Sequence, residues 1–468
     1  MAEKNSTCLT PRWRQYAAVI ISTFAMFASG MHYSWTSPSL PKLFSNDSTI
    51  RINTEQGSWL ASISLLGDLI GAPVGAFIAD YLGRKEAVFF SVTPYLIGWI
   101  LIAVAESYPI LLLARFVVGI GDGSSYTILP MYIGEISDND IRGRLGNFIQ
   151  VMADFGALCL YSIGPFVSIK TMAVISSVIP ILIYIVFPWF PESPYHLLIH
   201  GDYDKARKVL QKFRGRMEVD NELKEMNKIV VKQSAMSSSW KELFVTRSNL
   251  KALLILMGLK TIQQFSGISV VLVYTELIFE SATHNGLSPS ISAIIVGAVQ
   301  LVFSFFSAVV VDYVGRKPLL IASSLGCAIC LGGQTLYFYF QNHPNIEYFQ
   351  WLPITSMIGY IIMYSYGLGA LPFMMPSELF PTNIKAKALC IMDVYLALAA
   401  FVVIKLYYPT AMMFGFYVPF AFFTFSCLIS IFFIVFCVPE TKGRSLDEIQ
   451  EILKGKGIKG NQTAPCKC

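Results

Sequence analysis

Charged side chains are scarce in this chain of 468 residues. Asp, Glu, Lys and Arg make up 14% of it, apolar residues make up 54%, and the mean hydropathy is +0.56. A soluble domain usually carries about a quarter of charged residues. The apolar residues stand in blocks of about 20, the length at which a helix crosses the hydrocarbon core of a bilayer. The scarcity of charge therefore argues against an ordinary soluble domain and predicts an all-α membrane protein embedded in a lipid bilayer.

Motifs for covalent chemistry are missing as well. The nine cysteines include no paired CxxC at zinc spacing. We find no phosphate-binding loop and no nucleophile placed beside a base. We therefore expect neither an enzyme nor a resident cofactor or metal. The residues before the first apolar block are polar, which argues against a cleavable signal peptide.

The apolar blocks form two sets of six, separated by a polar stretch. This count predicts twelve transmembrane helices in two six-helix bundles. The polar stretch is expected to contain helices, because Ala206, Leu210 and Phe213 follow each other at helical spacing. The predicted organisation is a cytoplasmic N-terminus 1–14, a first bundle 15–190, a cytoplasmic linker 191–250, a second bundle 251–438 and a cytoplasmic tail 439–468.

Lys and Arg are distributed unevenly between the two sets of alternating loops. Most of them lie in the N-terminal segment, the linker, the tail and the loops on the same side. The positive-inside rule places this side, with both termini, in the cytoplasm. The net charge of +5 then reflects topology and not a nucleic-acid partner. Asn46 heads a glycosylation sequon in the first loop of the opposite side, which fits this orientation.

Three short motifs occur twice, about half a chain apart. DYLGRK at 80–85 returns as DYVGRK at 312–317, GEISDNDIRGR returns as SELFPTNIKAK, and PESP at 191–194 returns as PETKG at 439–443. Two similar six-helix bundles related by an axis along the membrane normal explain the repeat.

The charged residues of these repeats are candidates for a gate. Glycine permits a tight turn between two helices, and the basic residues remain at the cytoplasmic interface. We expect the carboxylates to pair with the arginines between the bundles and to release them when the inside opens. A topology anchor without gating is the alternative. The candidate gate comprises Asp80, Arg84, Glu135, Arg142, Asp312, Arg316 and Glu378.

These motifs, together with ARFVVGIG, QQFSGISVVLVY and VPETKGRSLDEI, resemble the signatures of the sugar porter family of the major facilitator superfamily. They run in order from the second helix to the tail. SWTSPSLP and VGAVQLVFSFFSAVVVDYVGRK are similar to segments of the insect facilitated trehalose transporters. The resemblance implies a small-molecule sugar as substrate and alternating access by rocking of the two bundles.

The resemblance also implies a set of sugar ligands. Amide side chains suit a sugar because they both donate and accept hydrogen bonds. The chain departs from the usual family residue at several of these positions, with Ser269 in place of asparagine and Phe373 in place of tryptophan. The helix 11 pair of asparagine and tryptophan falls on Leu396 and Ala397. The candidate substrate-binding residues are Gln150, Gln263, Gln264, Gln300, Ser269 and Phe373.

Several charges lie inside the predicted spans. Asp154 is one turn beyond Gln150, and Lys260 is one turn before Gln263. Intramembrane ionisable residues usually face the interior and pair. Asp154 and Lys260 either neutralise one another, or they bind a polar substrate or carry a proton. Asp68 and Asp122 also lie within spans, and their role stays open.

The leading interpretation is facilitative transport of trehalose or a hexose such as glucose across the plasma membrane. The first predicted helix carries no carboxylate, which favours a uniporter. The alternatives are a proton-coupled symporter of a sugar or polyol and, from another class, a sugar sensor that does not transport. A monomer is favoured, although the sequence leaves the oligomeric state open.

Overall fold

The chain is almost entirely helical in the computed structural model, which describes residues 13–138, 141–235, 240–282, 287–380, 382–442 and 446–453. Its α-helices, in chain order, are α1 (Trp13–Ser34), α2 (Thr36–Phe44), α3 (Thr54–Tyr81), α4 (Arg84–Ala103), α5 (Tyr108–Ile136), α6 (Arg142–Ile163), α7 (Ile169–Val186), α8 (Pro194–Ile199), α9 (Tyr203–Arg214), α10 (Asp220–Ala235), α11 (Trp240–Val245), α12 (Arg247–Phe265), α13 (Ile268–Ala282), α14 (Pro289–Val314), α15 (Arg316–Tyr339), α16 (Leu352–Tyr364), α17 (Leu371–Leu379), α18 (Thr382–Phe414), α19 (Tyr417–Cys437) and α20 (Leu446–Leu453).

Twelve spans are built from these helices within the described residues. The first half contains α1 with α2, then α3 to α7, and the second half contains α12 with α13, α14, α15, α16 with α17, α18 and α19. Eleven segments are long and apolar enough to cross a membrane. The twelfth, α5, is 29 residues long but carries Arg115 and Asp122 in its interior. The predicted all-α membrane fold of twelve spans is confirmed.

The two halves are joined by the short helices α8 to α11. Leu198, Leu210 and Leu223 of this linker are buried together in a small core of their own. Arg214 attaches the linker to the first half, because its guanidinium lies 2.9 Å from the Asp138 carboxylate and donates to the Ile136 carbonyl. We call the side that carries α8 to α11 the linker face and the opposite side the far face.

The repeated turns before α4 and α15 have the same backbone geometry. Gly83 has φ 112° and ψ 164°, and Gly315 has φ 101° and ψ 163°. Side chains disfavour this region, which is essentially reserved for glycine. Space is limited too, since a Cβ at Gly315 would lie 3.3 Å from the Glu440 carboxylate.

A glutamate from the end of each half covers the start of the helix that follows this turn. Glu192 accepts hydrogen bonds from the backbone amides of Arg84 and Lys85, at 3.0 and 3.1 Å. Glu440 accepts from the amides of Arg316 and Lys317, at 3.1 and 2.9 Å. A carboxylate at a helix N-terminus satisfies free N–H groups and complements the helix dipole. The third repeated motif therefore folds against the first in the same way in both halves.

The two capping glutamates differ in their electrostatics. Burial raises the pKa of Glu192 in spite of the backbone amides that bond it. Burial would also raise the pKa of Glu440, but the amides of Lys442, Lys317 and Arg316 outweigh it, so the pKa of Glu440 is lowered. The ionised form of Glu440 is thus better stabilised than that of Glu192.

We predict that Gly315→Ala lowers the thermal stability of the purified protein. The strain of this backbone conformation should cost about 1–3 kcal/mol of the free energy of unfolding, and Tm in detergent should fall accordingly. Gly146→Ala is the matched control, because Gly146 lies within α6 and a Cβ there would meet no atom within 4 Å. Equal Tm values for Gly315→Ala and the unchanged chain would contradict the prediction.

Candidate substrate-binding site

The seventh span is broken at the predicted glutamine pair. Gln263 and Gln264 lie in the last turn of α12, and Gly267 then adopts φ 88° before α13 begins at Ile268. A residue with positive φ ends the helix, which leaves the last carbonyls and side chains of α12 without the usual helical continuation. The glutamine pair is thus displayed at a helix break inside the membrane, where irregular backbone usually lines a cavity.

A second irregular segment lies beside this break. Between α16 and α17, Ser365–Gly369 forms a π-helix, a distortion that is frequent at functional sites. The Gln263 side chain uses its amide nitrogen Nε2 here, donating to the Leu368 carbonyl at 3.0 Å and to the Tyr364 hydroxyl at 3.1 Å. Gln263 Oε1 is buried and accepts no hydrogen bond from the described residues.

Gln264 is oriented by its own span. Ser269 donates from Oγ to Gln264 Oε1 at 2.6 Å across the break. Tyr33 of α1 lies near the same serine. Ser269 therefore holds Gln264 at a point where the helix break of the second half faces α1.

Asp154 is the centre of a polar cluster between α6 and α14. Its carboxylate accepts from Gln150 Nε2 at 2.9 Å, from Gln300 Nε2 at 2.8 Å and from the Ser304 hydroxyl. Gln150 and Asp154 belong to the first half and the other two residues to the second, so this cluster joins the halves. The Oε1 atom of Gln300 is buried and has no hydrogen-bond partner among the described residues.

Lys260 and Phe373 lie against each other on α12 and α17. Lys260 Nζ stands 3.2 Å from the centroid of the Phe373 ring. The lysine is 1% exposed and the phenylalanine 49% exposed. An ammonium over an aromatic face is a favourable cation–π arrangement. Lys260 and Asp154 do not pair with each other, because Asp154 is occupied by neutral donors across α6 and α14 while Lys260 faces α17.

The predicted sugar ligands thus form neighbouring groups around one region. Gln150 and Gln300 share Asp154, Gln264 and Ser269 bond each other, and Gln263 bonds Tyr364. The negative charge of Asp154 acts on Tyr364, which places these groups within electrostatic range of one another. The sequence reasoning missed Ser304 and Tyr364; the position of Ser304, one helical turn after Gln300, is the signal that indicates it.

Other charges of the first half are engaged within it. Asp122 accepts from Ser29 at 2.6 Å and from Tyr95 at 2.9 Å. Arg115 donates to the backbone carbonyl of His32 and stacks over Trp35 at 5.6 Å. These contacts cross between α1, α4 and α5, so they support a structural role in holding the first half together.

The candidate gate residues form two separate clusters on the linker face. In the first half Arg84 binds Glu135 at 3.0 Å and Asp80 at 3.4 Å, and Ser193 donates to Glu135. In this half, burial and the neighbouring Arg84 and His200 charges lower the pKa of His196 to about 4. Its neutral Nδ1 can therefore accept from Arg84, 3.3 Å away.

The cluster of the second half repeats this arrangement. Arg316 binds Glu378 at 2.8 Å, and Thr441 donates to the same carboxylate. Arg142 is exposed at the start of α6, whereas Glu135 pairs with Arg84 as the sequence predicts. The side chain of Asp312 lies outside the described part of the structure. Among the described side chains no ion pair joins the two clusters.

Known proteins support this architecture. Residues 8–453 match the sugar (and other) transporter family, and the chain belongs to that family, whose members are transporters. The resemblance drawn from the motifs is confirmed. A facilitated trehalose transporter of Apis mellifera ligustica is 32% identical over 94% of this chain and 88% of its own length. One from Polypedilum vanderplanki is 33% identical over 95% and 89%.

Solved structures agree on the fold. The xylose transporter XylE from E. coli in an inward open conformation superposes with a TM-score of 0.79 at 23% identity, covering 94% of this chain and 99% of that one. XylE described as a proton:xylose symporter bound to 6-bromo-6-deoxy-D-glucose gives 0.75 at 23% identity, with the same coverage. The major facilitator fold of two six-helix bundles is thereby established for this chain.

We predict that Gln263→Ala weakens sugar transport while the protein still reaches the membrane. Loss of one hydrogen-bonding side chain should cost about 1–3 kcal/mol, seen as a lower kcat/KM for uptake of a labelled sugar. Gln341→Ala is the control: this amide donates to the Ser281 carbonyl on the far face, at 2.6 Å, away from the site. Unchanged uptake in Gln263→Ala would remove Gln263 from the site.

Proposed function

We propose that this protein carries a sugar, trehalose or a hexose such as glucose, across the plasma membrane by facilitated diffusion. The similarity to the facilitated trehalose transporters of insects supports this substrate class. The distribution of Lys and Arg supports an orientation with both termini and the linker face in the cytoplasm. In that orientation Asn46, exposed between α2 and α3, lies outside and is open to glycosylation.

The observation that carries the proposal is a pair of buried amide oxygens that have no hydrogen-bond partner among the described residues. Gln263 Oε1 and Gln300 Oε1 are buried, while their Nε2 atoms are already bonded. A buried acceptor without a donor costs about 1–3 kcal/mol. Sugar hydroxyls are donors that relieve this cost. The exposed ring of Phe373 adds an apolar surface on which a sugar ring can pack.

Alternating access is supported by the distribution of contacts between the halves. On the far face Lys405 donates to Ser58 at 2.8 Å, Tyr161 donates to the Leu272 carbonyl at 2.6 Å, and the Glu276 amide donates to Ser37 at 3.1 Å. These bonds close the far face over the site. Their exchange for contacts on the linker face would move the sugar from one side of the membrane to the other.

A proton-coupled symporter is the second candidate, and Asp154 is the observation that favours it. This carboxylate is 4% exposed and touches two of the proposed sugar ligands. Protonation would turn an acceptor of three hydrogen bonds into a group that also donates, and would rearrange both amides. Proton binding and sugar binding would then be coupled through the same atoms.

Uptake into oocytes separates the two candidates. For a uniporter we expect saturable uptake of labelled trehalose or glucose that is equal at acidic and neutral outside pH, because only the sugar gradient drives it. Uptake that rises in acid with an inward current, and loses this rise in Asp154→Asn, would establish proton coupling instead. No uptake of either sugar, with the protein at the cell surface, would contradict the proposed substrate.

We also propose that the two linker-face clusters act as a gate. Each cluster fixes the ends of three chain segments in one half; in the second half Arg316, Glu378 and Thr441 bring together α15, α17 and the segment after α19. The linker face can close only if these ends present fixed surfaces to the other half. Loosening one cluster therefore favours the state that is open to the cytoplasm.

Glu378→Gln is expected to shift the protein toward this inward-open state. A cysteine introduced at Asn147, which donates to the Ser304 carbonyl where the halves meet, reports the opening. Accessible native cysteines such as Cys390 and Cys437 are first replaced. Labelling from the cytoplasmic side should rise about fivefold, as about 1 kcal/mol of lost pairing would give.

Glu222→Gln serves as the control for this measurement. Glu222 is the same residue type in an ion pair with Arg214 and Arg216, but it lies in the linker. Its replacement should leave the labelling rate unchanged. Equal rates for both variants would show that the Glu378 cluster is an anchor without a gating role.

A further inference from the structure

Lys260 carries a buried ammonium that its surroundings do not satisfy. The side chain is 1% exposed, and none of the described residues accepts a hydrogen bond from Nζ. Its close contact is the Phe373 ring. A cation–π contact supplies attraction but no acceptor for the three N–H groups. A buried cation in this condition is costly and in a membrane protein indicates a functional partner.

The acidic residues nearby do not supply this partner. Asp393 of α18 is exposed and attracts Lys260 through its charge, but its carboxylate does not hydrogen-bond Nζ. Asp154 is occupied by Gln150, Gln300 and Ser304. The N–H groups of Lys260 therefore have no acceptor among the described residues, and a bound ligand could supply one.

The position of Lys260 connects it with the sugar site. It precedes Gln263 by three residues and Gln264 by four on α12, so the three side chains share one face of the helix. The polar atoms left over in this region are two acceptors, Gln263 Oε1 and Gln300 Oε1, and one cationic donor, Lys260 Nζ. A complementary ligand carries hydroxyl groups and, separately, an anionic acceptor.

We propose that Lys260 binds the carboxylate of a sugar acid, so that the site accepts uronates as well as neutral sugars. This inference rests on the proposed function and specifies the substrate class of the same site. A monoanionic carboxylate matches a single ammonium. A phosphate dianion would leave one charge uncompensated close to Asp393, which would repel it. The carboxylate would sit beside Phe373, with the ring hydroxyls donating to Gln263 and Gln300.

Competition and uptake measurements in oocytes test this proposal. Labelled glucose and labelled glucuronate are each supplied to the unchanged chain and to Lys260→Gln, Lys260→Arg and Lys405→Gln. We expect glucuronate to be taken up and to inhibit glucose uptake. In Lys260→Gln the ratio of glucuronate to glucose kcat/KM should fall about tenfold, since a charge-assisted hydrogen bond is lost.

The other variants make the ratio interpretable. Lys260→Arg retains the charge and should restore most of the ratio. Lys405→Gln makes the same chemical change in a span, at a lysine bonded to Ser58 on the far face, and should leave the ratio unchanged. If Lys260→Gln does not reach the surface, two measurements replace it. One is the uptake ratio of Lys260→Arg, and the other is binding of glucuronate to the purified unchanged chain, followed as a rise in Tm.

The failures of the two proposals have different signatures. One outcome is saturable uptake of glucose or trehalose that glucuronate does not inhibit, with no uptake of glucuronate itself. This would overturn the role of Lys260 but not the proposal that the protein transports a sugar. A fall of both uptakes in parallel in Lys260→Gln, with no change of ratio, would also overturn it and make the lysine structural. Absence of any sugar uptake would overturn the proposed function itself, and this inference with it.

Discussion

The shared carboxylate of Asp154 determines how the centre of the molecule is arranged. It takes the Nε2 atoms of Gln150 and Gln300, one from each half, and thereby turns the Oε1 atom of Gln300 away from it. The Leu368 carbonyl, in the π-helix, accepts from Nε2 of Gln263 and thereby turns the Oε1 atom of Gln263 away from it. Gln263 therefore offers a ligand only its acceptor, whereas Gln300 offers its acceptor and the second N–H of Nε2. In the proposed transporter both oxygens would favour a ligand rich in hydroxyl groups, because each is a buried acceptor without a donor among the described residues.

The ends of the two halves are constructed alike, but they are not equivalent. Each has a glycine turn, a capping glutamate from its last motif and an Arg–Glu pair that a hydroxyl completes. The capping glutamates differ, because burial raises the pKa of Glu192 while backbone amides lower that of Glu440. A duplicated sequence has thus kept the geometry of the turn and changed its electrostatics. The linker adds to the asymmetry, since Arg214 fastens it to the first half through Asp138.

Hydropathy and repetition were sufficient to predict the twelve spans in two halves, and the resemblance to sugar porters came from the short motifs. The sequence did not predict which side chains of the site hydrogen-bond each other. Asp154 and Lys260 flank the glutamines in sequence, which suggested a pair, but they lie on helices of different halves and face different neighbours. The neighbours of Lys260 and of the glutamines depend on where α12 ends and where the π-helix follows α16. A hydropathy pattern predicts neither of these positions. For the charged clusters, the sequence pairs Glu135 and Glu378 with the arginines of the repeated turns, but it does not predict that each pair stays within one half.

The position of Asp154 bears on how such a molecule moves. Bonds between the halves lie on both sides of it along the membrane normal: Asn147 to Ser304 toward the linker face, and Tyr161 to Leu272 toward the far face. A rocking motion changes distances least near its axis and most at the two faces. The far-face bonds of Lys405 and Tyr161 must therefore break when that face opens, whereas the bonds to Asp154 can persist through the motion. Breaking three hydrogen bonds to a buried carboxylate costs free energy, so in the proposed rocking motion a cluster near the axis would keep these bonds and hold both amides in one orientation.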